Sequence, residues 1–359
     1  MTDPITGLTE LNKAASLIAA IDIGSLTIRL AIAEVGVDPP DLRLIHTKRE
    51  ITHLGQGLVQ TGNLAPEAVD LSLAVLAEFV RDLRQFKVVA SRAVATQAVR
   101  QARNRQAFLD QICRQTGLGV EVLSPAQEAR LSLAGVLSVL TPADEVDRPL
   151  VVFDVGGGST EWALVIPGQD MCFASLPLGV STLTQRWLAS DPPGNAELAA
   201  LRTAIRHQLE QLPGVYFADY LLRTQPRLVG TAGTVTTLAA MSLGMTVYDP
   251  SRINNLVLTR ATVDRLSGQL TVLTEAERAR LPGLEPGKAG VIVAGALIIQ
   301  KILEFFQQAS LVVIDAGLLE GLLLQIAKEI SFPKNSDKIE KIICAGEKLN
   351  DPRSEHHRV

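Results

Sequence analysis

Two acidic residues, Asp22 and Asp154, stand in the same short pattern, in which an apolar run, an Asp-x-Gly turn and a second apolar run follow one another. When the two copies are aligned, Arg29 falls on Glu161. A glycine turn between paired strands exposes backbone N–H groups that can bind phosphate oxygens. Two such hairpins facing each other would form a cleft for a phosphorylated substrate, with a cation on one wall and a carboxylate on the other.

Glycine-containing turns with the composition of phosphate-binding loops occur at three places in the sequence. Two belong to the duplicated hairpins, and the third joins a predicted strand to a predicted helix, where the helix dipole favours an anion. The alternative is that the glycines only satisfy turn geometry and that Thr234 only caps a helix. The candidate phosphate-binding residues of these turns are Gly24, Ser25, Gly156, Gly157, Gly158, Ser159, Gly233 and Thr234.

Two further polar residues could take part in chemistry at a cleft. Glu128 lies in the first turn of a predicted helix, and Arg100 lies near the start of another. Acidic residues are common in the first turn of a helix because of the helix dipole, and an arginine near a helix end is usually solvated. The local sequence alone does not distinguish either residue from an ordinary surface residue.

The composition indicates a two-domain α/β protein with aliphatic cores. A chain of 359 residues is longer than one ordinary core supports, and 47% of its residues are hydrophobic while 4% are aromatic. The net charge of -4 gives no electrostatic reason to expect nucleic acid as a partner. The cysteines and histidines show no spacing typical of a zinc site.

Predicted strands and helices alternate along the chain, which favours mostly parallel sheets with helical connections. Apolar periodicity predicts a helix over residues 66–86, and a short apolar run predicts a strand over residues 86–90. A helix beginning at about residue 126 follows the first hairpin and its partners, and we place the domain boundary there. The predicted units are residues 15–125, residues 126–317 and a polar tail over residues 331–359, and the last helix, 318–330, could pack on the first unit.

The apolar run over residues 17–33 could suggest a membrane-spanning helix, but its composition argues against one. Asp22, Gly24, Ser25 and Arg29 interrupt it, and no basic segment with a cleavage site accompanies it. Two buried strands explain the run better. We therefore expect a cytoplasmic protein with no membrane partner.

The ordered motifs of residues 18–330 resemble those of the exopolyphosphatase/guanosine pentaphosphate phosphatase (Ppx/GppA) family in its short two-domain form. That family belongs to the actin, sugar kinase and heat-shock chaperone superfamily. The resemblance therefore implies two ribonuclease H-like α/β domains with a central interdomain cleft. The motifs are Asp22-Ile23-Gly24-Ser25, residues 95–104, Gln127-Glu128-Ala129-Arg130, residues 154–161, residues 230–234, residues 281–283 and Gly317-Leu318-Leu319-Glu320-Gly321.

The resemblance implies that water removes the terminal phosphate from inorganic polyphosphate, or the γ-phosphate from guanosine pentaphosphate. Matched by position, Glu128 is the general base, and Asp154 and Glu161 are catalytic carboxylates that bind Mg²⁺. Arg100 would add positive charge beside the glycine turns. Arg29 would meet a guanosine tetraphosphate or pentaphosphate, since an arginine can grip phosphate in a bidentate way. Assembly as a homodimer is left open.

The chain departs from the family pattern at several charged or polar positions. Leu319 replaces an arginine of the pattern, Lys288-Ala289-Gly290 replaces Arg-Ala-Asp, and Asn254 replaces a histidine. These changes leave two other interpretations. One is a catalytically weak sensor that binds polyphosphate or guanosine tetraphosphate, and the other is an actin-like ATPase or kinase that shares only the fold. We favour the hydrolase because the residues implied for hydrolysis are present.

Overall fold

The computed structural model describes residues 16–36, 42–142, 148–212 and 223–331 of the chain. The polar tail predicted over residues 331–359 lies outside the described residues, apart from its first position. The strands are β1 (Ser16–Ile23), β2 (Thr27–Val35), β3 (Leu42–Ile51), β4 (Ala90–Ala95), β5 (Val120–Val122), β6 (Leu150–Val155), β7 (Thr160–Val165), β8 (Cys172–Leu176), β9 (Arg227–Thr231), β10 (Leu256–Thr259) and β11 (Ser310–Val313).

The helices connect these strands and pack on their faces. Within the part of the chain that the structure describes, none of them has both the length and the apolar character needed to cross a membrane. The helices are α1 (Leu58–Thr61), α2 (Pro66–Gln85), α3 (Gln97–Gln101), α4 (Arg105–Thr116), α5 (Pro125–Val139), α6 (Val180–Trp187), α7 (Asn195–Leu209), α8 (Ala232–Ser242), α9 (Pro250–Ile253), α10 (Arg260–Val272), α11 (Glu275–Arg278), α12 (Ile292–Phe305) and α13 (Leu318–Ser331), with a short 3-10 turn at Pro286–Lys288.

The strands form two sheets with related strand orders. The first sheet has the order β3-β2-β1-β4-β5, and the second has the order β10-β11-β9-β6-β7-β8. In each sheet an antiparallel three-stranded meander, β1-β2-β3 or β6-β7-β8, is extended by parallel pairing of its first strand with β4 or β9. The predicted α/β class is confirmed, although the sheets are mixed rather than mostly parallel because each hairpin contributes antiparallel strands. The position of the domain boundary stays a prediction.

The two hairpins identified in the sequence have the same register. Between β1 and β2, Asp22 pairs with Arg29, and between β6 and β7, Asp154 pairs with Glu161. Residues paired across two antiparallel strands project to the same face of the sheet. The duplicated pattern therefore places an acid beside a base on one hairpin and two acids side by side on the other.

The turns of the two hairpins are closed by matching hydrogen bonds. The Gly24 N–H donates to the Thr27 carbonyl at 3.0 Å, and the Gly156 N–H donates to the Ser159 carbonyl at 2.9 Å. Because a hairpin turn is local in sequence, its geometry follows from its glycine and from the register of its strands. The equivalence of the two hairpins thus extends from the strands to the turns.

Helices α5 and α13 lie between the two sheets. Helix α13 packs its apolar face on the first sheet, and α5 packs on the second. The two helices approach each other closely, since a Cβ at Gly321 would overlap the carbonyl oxygen of Leu131. Because α5 carries Glu128 in its first turn, this pair of helices sets where that carboxylate stands.

One predicted strand lies in a different place in the structure. The strand predicted over residues 86–90 is wrong, because β4 begins only at Ala90 and Val89 is 65% exposed. Parallel pairing with β1 along its whole length determines the position of β4. The apolar pattern also carries no prediction for β10 or α10.

Candidate active site

A cavity of about 510 Å³ opens between the two hairpin turns. Its walls come from β1–β2 and β6–β7, and the first turns of α5 and α8 and the segment before α12 complete them. The structure therefore brings most of the predicted site residues together, from segments that are distant in sequence. The predicted residues that line this cavity are Gly24, Ser25, Arg29, Glu128, Asp154, Gly156, Gly157, Gly158, Ser159, Glu161, Gly233 and Thr234.

Glu128 is a buried carboxylate, 7% exposed, that lines the cavity from the first turn of α5. The Arg100 guanidinium donates to its Oε2 at 3.0 Å and to the Leu123 carbonyl at 2.7 Å. Burial and the charge of Glu161 raise the pKa of Glu128 well above its ordinary value, and Arg100 opposes this shift. The structure thus places Arg100 on the Glu128 carboxylate, and its predicted contact with phosphate stays a prediction.

Asp154 and Glu161 form a pair of carboxylates on the β6–β7 hairpin, and hydroxyl groups donate hydrogen bonds to both; Glu161 is buried and Asp154 is half-buried. The Ser132 hydroxyl donates to Oδ2 of Asp154, and the hydroxyls of Ser159 and Ser175 each donate to Oε1 of Glu161 at 2.8 Å. Burial raises the pKa of both carboxyl groups, and the charge of Asp154 raises that of Glu161 further. Ser159, a predicted phosphate-binding residue, therefore also orients Glu161.

The Arg29 guanidinium is bound by its cross-strand partner. Its Nε and Nη2 donate to Oδ2 of Asp22 at 3.0 and 2.6 Å. Burial alone would lower the pKa of Arg29, but the charge of Asp22 and its hydrogen bonds raise it. Oδ1 of Asp22 is buried and accepts no hydrogen bond from any described residue. Asp22 thus sets the position of Arg29 in the cavity, and the predicted contact of Arg29 with an anion stays a prediction.

The two hairpin turns touch each other beside the cavity. A Cβ at Gly157 would lie 2.9 Å from Cβ of Leu26, and a Cβ at Gly158 would lie 2.6 Å from Oγ of Ser25 and overlap the Gln97 side chain. Only glycine allows the first hairpin and α3 to approach the backbone this closely. Gln97 itself lines the cavity; it lies in the motif over residues 95–104, but the sequence predicts no role for its side chain.

The third turn presents the N-terminus of α8 to the cavity. Ala232, the first residue of α8, has a φ of 67°, in the left-handed region that residues with a Cβ rarely adopt. The Thr234 hydroxyl donates to the Val155 carbonyl at 3.2 Å, which joins the turn to the second hairpin. The alternative that Thr234 caps the helix is wrong, because Thr231 is the N-cap residue. The N–H groups of a first helical turn lack partners within the helix, so this end is suited to an anion.

Lys288 is a buried cation of the cavity, although in the sequence it appears only as a departure from the family pattern. Its Nζ donates to Oγ1 of Thr237 at 3.2 Å and lies 3.4 Å from Oε2 of Glu285. Burial, together with the charge of Arg49, lowers the pKa of Lys288 to about 8. Glu285 and Arg49 also line the cavity, but they come from distant parts of the chain and have no local sequence signal.

The carboxylates of the cavity fit a divalent cation that binds together with a phosphorylated ligand. Mg²⁺ commonly binds through one or two carboxylates plus phosphate oxygens and waters. Asp154 and Glu161 offer two neighbouring carboxylates with raised pKa values, and a cation beside them would stabilise their charged forms. Among the described residues, no group of three or more His, Cys, Asp or Glu side chains is arranged to hold a metal ion.

Residues 32–330 match the sequence profile of the Ppx/GppA phosphatase family. Exopolyphosphatase 2 of Mycobacterium tuberculosis is 34% identical over 332 residues, which span 88% of this chain and 99% of that protein. The Aquifex aeolicus member of the Ppx/GppA family superposes with a TM-score of 0.70 at 32% identity, covering 88% of this chain and 99% of that one. An exopolyphosphatase from Cytophaga hutchinsonii superposes with a TM-score of 0.78 at 26% identity, covering 87% and 98%. The chain belongs to the Ppx/GppA phosphatase family.

Proposed function

We propose that this chain hydrolyses phosphoanhydride bonds and removes terminal phosphate from inorganic polyphosphate in the cavity between its hairpins. The observation that carries the proposal is the position of Glu128, a buried carboxylate with a raised pKa in a cavity that three glycine turns line. Relatives that are named exopolyphosphatases support the choice of substrate. Phosphoryl transfer depends mainly on positioning and on charge neutralisation, which a cavity of this kind offers.

Glu128 is the general base of the proposed reaction. Its carboxylate accepts a proton from the attacking water, and a raised pKa brings its proton affinity nearer to neutral pH, where a base is most effective. The Arg100 guanidinium favours the ionised form of Glu128 and fixes the direction of its carboxylate. Arg100 is therefore a positioning residue, on which the alignment of water with phosphorus depends.

The glycine turns and the N-terminus of α8 hold the substrate phosphates in this proposal. Backbone N–H groups of such turns carry partial positive charge toward an anion. Arg29 adds a full charge while remaining bound to Asp22. Mg²⁺ held by Asp154 and Glu161 would neutralise charge on the phosphoryl oxygens.

The residues that depart from the family pattern make contacts that do not involve the Glu128 carboxylate. Leu319 is 6% exposed and packs within the apolar layer between α13 and the first sheet. The Asn254 side chain accepts a hydrogen bond from the Asp315 N–H at 2.7 Å. A Cβ at Gly290 would lie 3.1 Å from Oε1 of Glu275, so an aspartate there would place two carboxylates together. Leu319 and Asn254 also line the cavity, so these departures change its walls, while the contacts named here do not involve Glu128, Asp154 or Glu161.

Replacement of Glu128 tests the proposal. With Mg²⁺ and long-chain polyphosphate, we expect Glu128→Gln to lower kcat about 10²–10⁴-fold, which is the usual effect of losing a general base. Glu304→Gln is the matched control, because Glu304 pairs with Lys301 and does not line the cavity. The measurement is the initial rate of phosphate release.

Each alternative gives a different result in the same experiment. Equal rates for wild type and Glu128→Gln would contradict the assignment of the base. Binding of polyphosphate without phosphate release by the wild type would support the sensor. Phosphorylation of an added acceptor from ATP would support the kinase.

Guanosine pentaphosphate is a second candidate substrate, and one feature of the cavity favours it. Tyr248 lines the cavity together with Arg29 and is 41% exposed. An accessible aromatic ring can stack on a purine base. Rates on long-chain polyphosphate, short-chain polyphosphate and guanosine pentaphosphate, measured side by side, would decide between the substrates.

A cytoplasmic location and assembly as a homodimer also stay predictions. Fractionation of the source cells would test the first. Sedimentation velocity of the purified protein over a range of concentrations would test the second.

A further inference from the structure

Two arginines stand side by side on the first sheet. Arg29 on β2 and Arg49 on β3 are paired in the antiparallel register, and both line the cavity. Like charges directly opposite each other on a sheet are destabilising unless anions lie close by. Two carboxylates supply this negative charge: Asp22 binds Arg29, and Oε2 of Glu285 lies 2.6 Å from Nη2 of Arg49.

Glu285 also pairs with a cation of its own segment, three residues further along the chain. Nζ of Lys288 lies 3.4 Å from the same Oε2 atom that binds Arg49. One carboxylate oxygen therefore joins a cation of β3 to a cation of the segment before α12. A phosphate oxygen bound between these two cations would make the same charge-assisted contacts.

Asp22 and Glu285 differ in how easily their side chains can move away from the cations that they bind. The Asp22 side chain is 6% exposed, whereas the Glu285 side chain is 33% exposed. An ion pair with access to water contributes little to stability, so its side chain can rotate away at low cost. The backbone beside it has less freedom, because the Lys288 N–H donates a hydrogen bond to the Glu285 carbonyl at 2.9 Å. The movement that frees the cations is therefore rotation of the Glu285 side chain.

We propose that Glu285 is a displaceable carboxylate that competes with the substrate for Arg49 and Lys288. Without substrate it occupies both cations, and with substrate it yields them to a phosphoryl group other than the one that is hydrolysed. Arg49 and Lys288 then form a subsite for the anionic chain, and Glu285 sets the affinity of that subsite. This inference rests on the proposed function, since it takes polyphosphate as the ligand.

A competing carboxylate and a purely structural ion pair predict different signs for the changes in binding affinity that substitutions cause. If Glu285 competes, loss of its charge frees the cations and tightens binding, whereas loss of the Arg49 charge weakens binding. If the pair only holds the two halves together, loss of either partner breaks the same contact and changes binding in the same direction. Two single substitutions therefore separate the two roles.

The experiment is calorimetric titration with short-chain polyphosphate of defined length and Mg²⁺, in the inactive Glu128→Gln protein. We expect Glu285→Gln to lower Kd about three- to tenfold, as relief of exposed ion pairs implies, and Arg49→Gln to raise it by a similar factor. Glu304→Gln, which removes the charge of an ion pair with Lys301, is the matched control and should leave Kd unchanged. In the protein that retains Glu128, the effect of Glu285→Gln should appear in KM more than in kcat.

Unchanged or weaker binding by Glu285→Gln would overturn the proposal, and so would changes of the same sign in Glu285→Gln and Arg49→Gln. Glu285→Ala removes the same charge and must give the same sign as Glu285→Gln, which guards against an effect peculiar to one variant. Failure of the wild type to release phosphate would refute the proposed function. Normal release combined with an unaltered Kd in Glu285→Gln would refute this inference alone.

Discussion

Lys288 is a buried lysine whose charge should control substrate binding on the alkaline side of neutrality. It is 5% exposed, and burial together with the Arg49 charge lowers its pKa to about 8, while Glu285 opposes the shift. At pH 7 the side chain is therefore a cation, and above pH 8 most of it is neutral. If Lys288 binds a phosphoryl group, substrate affinity must fall as the pH rises through this range.

The titration of Lys288 determines the size of the effect. One pH unit above the pKa leaves about one tenth of the lysine protonated, so kcat/KM should be about tenfold lower at pH 9 than on its plateau. The fall in kcat/KM stops once Lys288 is fully neutral. The total loss then equals the contribution of one charged hydrogen bond, about 1.5–3 kcal/mol. Burial raises the pKa of Tyr248, which lines the same cavity, so its phenol stays neutral over this range. The pKa of Arg29 is raised, so Arg29 stays charged throughout.

Lys288→Arg is the substitution that tests this prediction, since an arginine keeps its charge over the whole range. We expect the wild type to lose kcat/KM on polyphosphate between pH 8 and 9, and Lys288→Arg to stay level. Lys301→Arg is the matched control with the wild-type profile, because Lys301 pairs with Glu304 and does not line the cavity. The assay is phosphate release at subsaturating polyphosphate and constant ionic strength, since salt screens these charges. The same alkaline fall in Lys288→Arg would refute the assignment to Lys288.

The lowered pKa of Lys288 also makes the stability of the fold depend on pH, but in the opposite direction to substrate binding. The pKa of about 8 in the folded protein lies below the ordinary value of 10.5, so between these values the unfolded chain binds more protons. The free energy of unfolding therefore rises with pH over this window, and at pH 7 the buried charge is destabilising by about 3 kcal/mol. Lys288→Met should have a higher Tm than the wild type at pH 7, with a gain that shrinks toward pH 10. An equal or lower Tm at pH 7 would contradict this.

The remaining predictions concern glycines whose missing side chain leaves room for a neighbour. Gly158→Ala places a Cβ onto the Gln97 side chain, so the second hairpin must shift, and we expect phosphate release to show about 100-fold lower kcat/KM. Gly321→Ala pushes α13 away from the Leu131 carbonyl and should lower the free energy of unfolding in urea by about 1–3 kcal/mol. Gly268→Ala is the control for both, because a Cβ there meets no described atom within 4 Å outside its own helix, and it should stabilise by up to about 1 kcal/mol. Wild-type activity in the first variant or wild-type stability in the second would contradict these close approaches.

The hairpins could be predicted from the sequence because their information is local. Asp22 and Arg29 belong to one short segment, and the glycine turn between them determines which residues face each other. Both faces of β1 are buried, so the turn, and not an alternating apolar pattern, sets the register of this hairpin. The same reasoning holds for Asp154 and Glu161.

Contacts between distant segments could not be predicted in this way. Arg49 and Glu285 are 236 positions apart, and nothing in the sequence around either residue indicates the other. The wrong strand over residues 86–90 has a related cause, because pairing with β1 places β4 and the local apolar run does not. Arg100 shows the limit of a resemblance, since its contact with Glu128 becomes visible only when α3 and α5 are placed together.

The two hairpins differ in chemistry because of one position in a shared register. In the first, Arg29 faces Asp22, and their charges cancel in an ion pair. In the second, Glu161 faces Asp154, and burial together with the Asp154 charge raises the pKa of Glu161, so a cation beside this pair would stabilise its charged form. An arginine that is already paired can still share its guanidinium with an anion. One wall of the cavity is therefore suited to a metal ion and the other to a phosphate chain, which is the division of roles that the proposed hydrolysis needs.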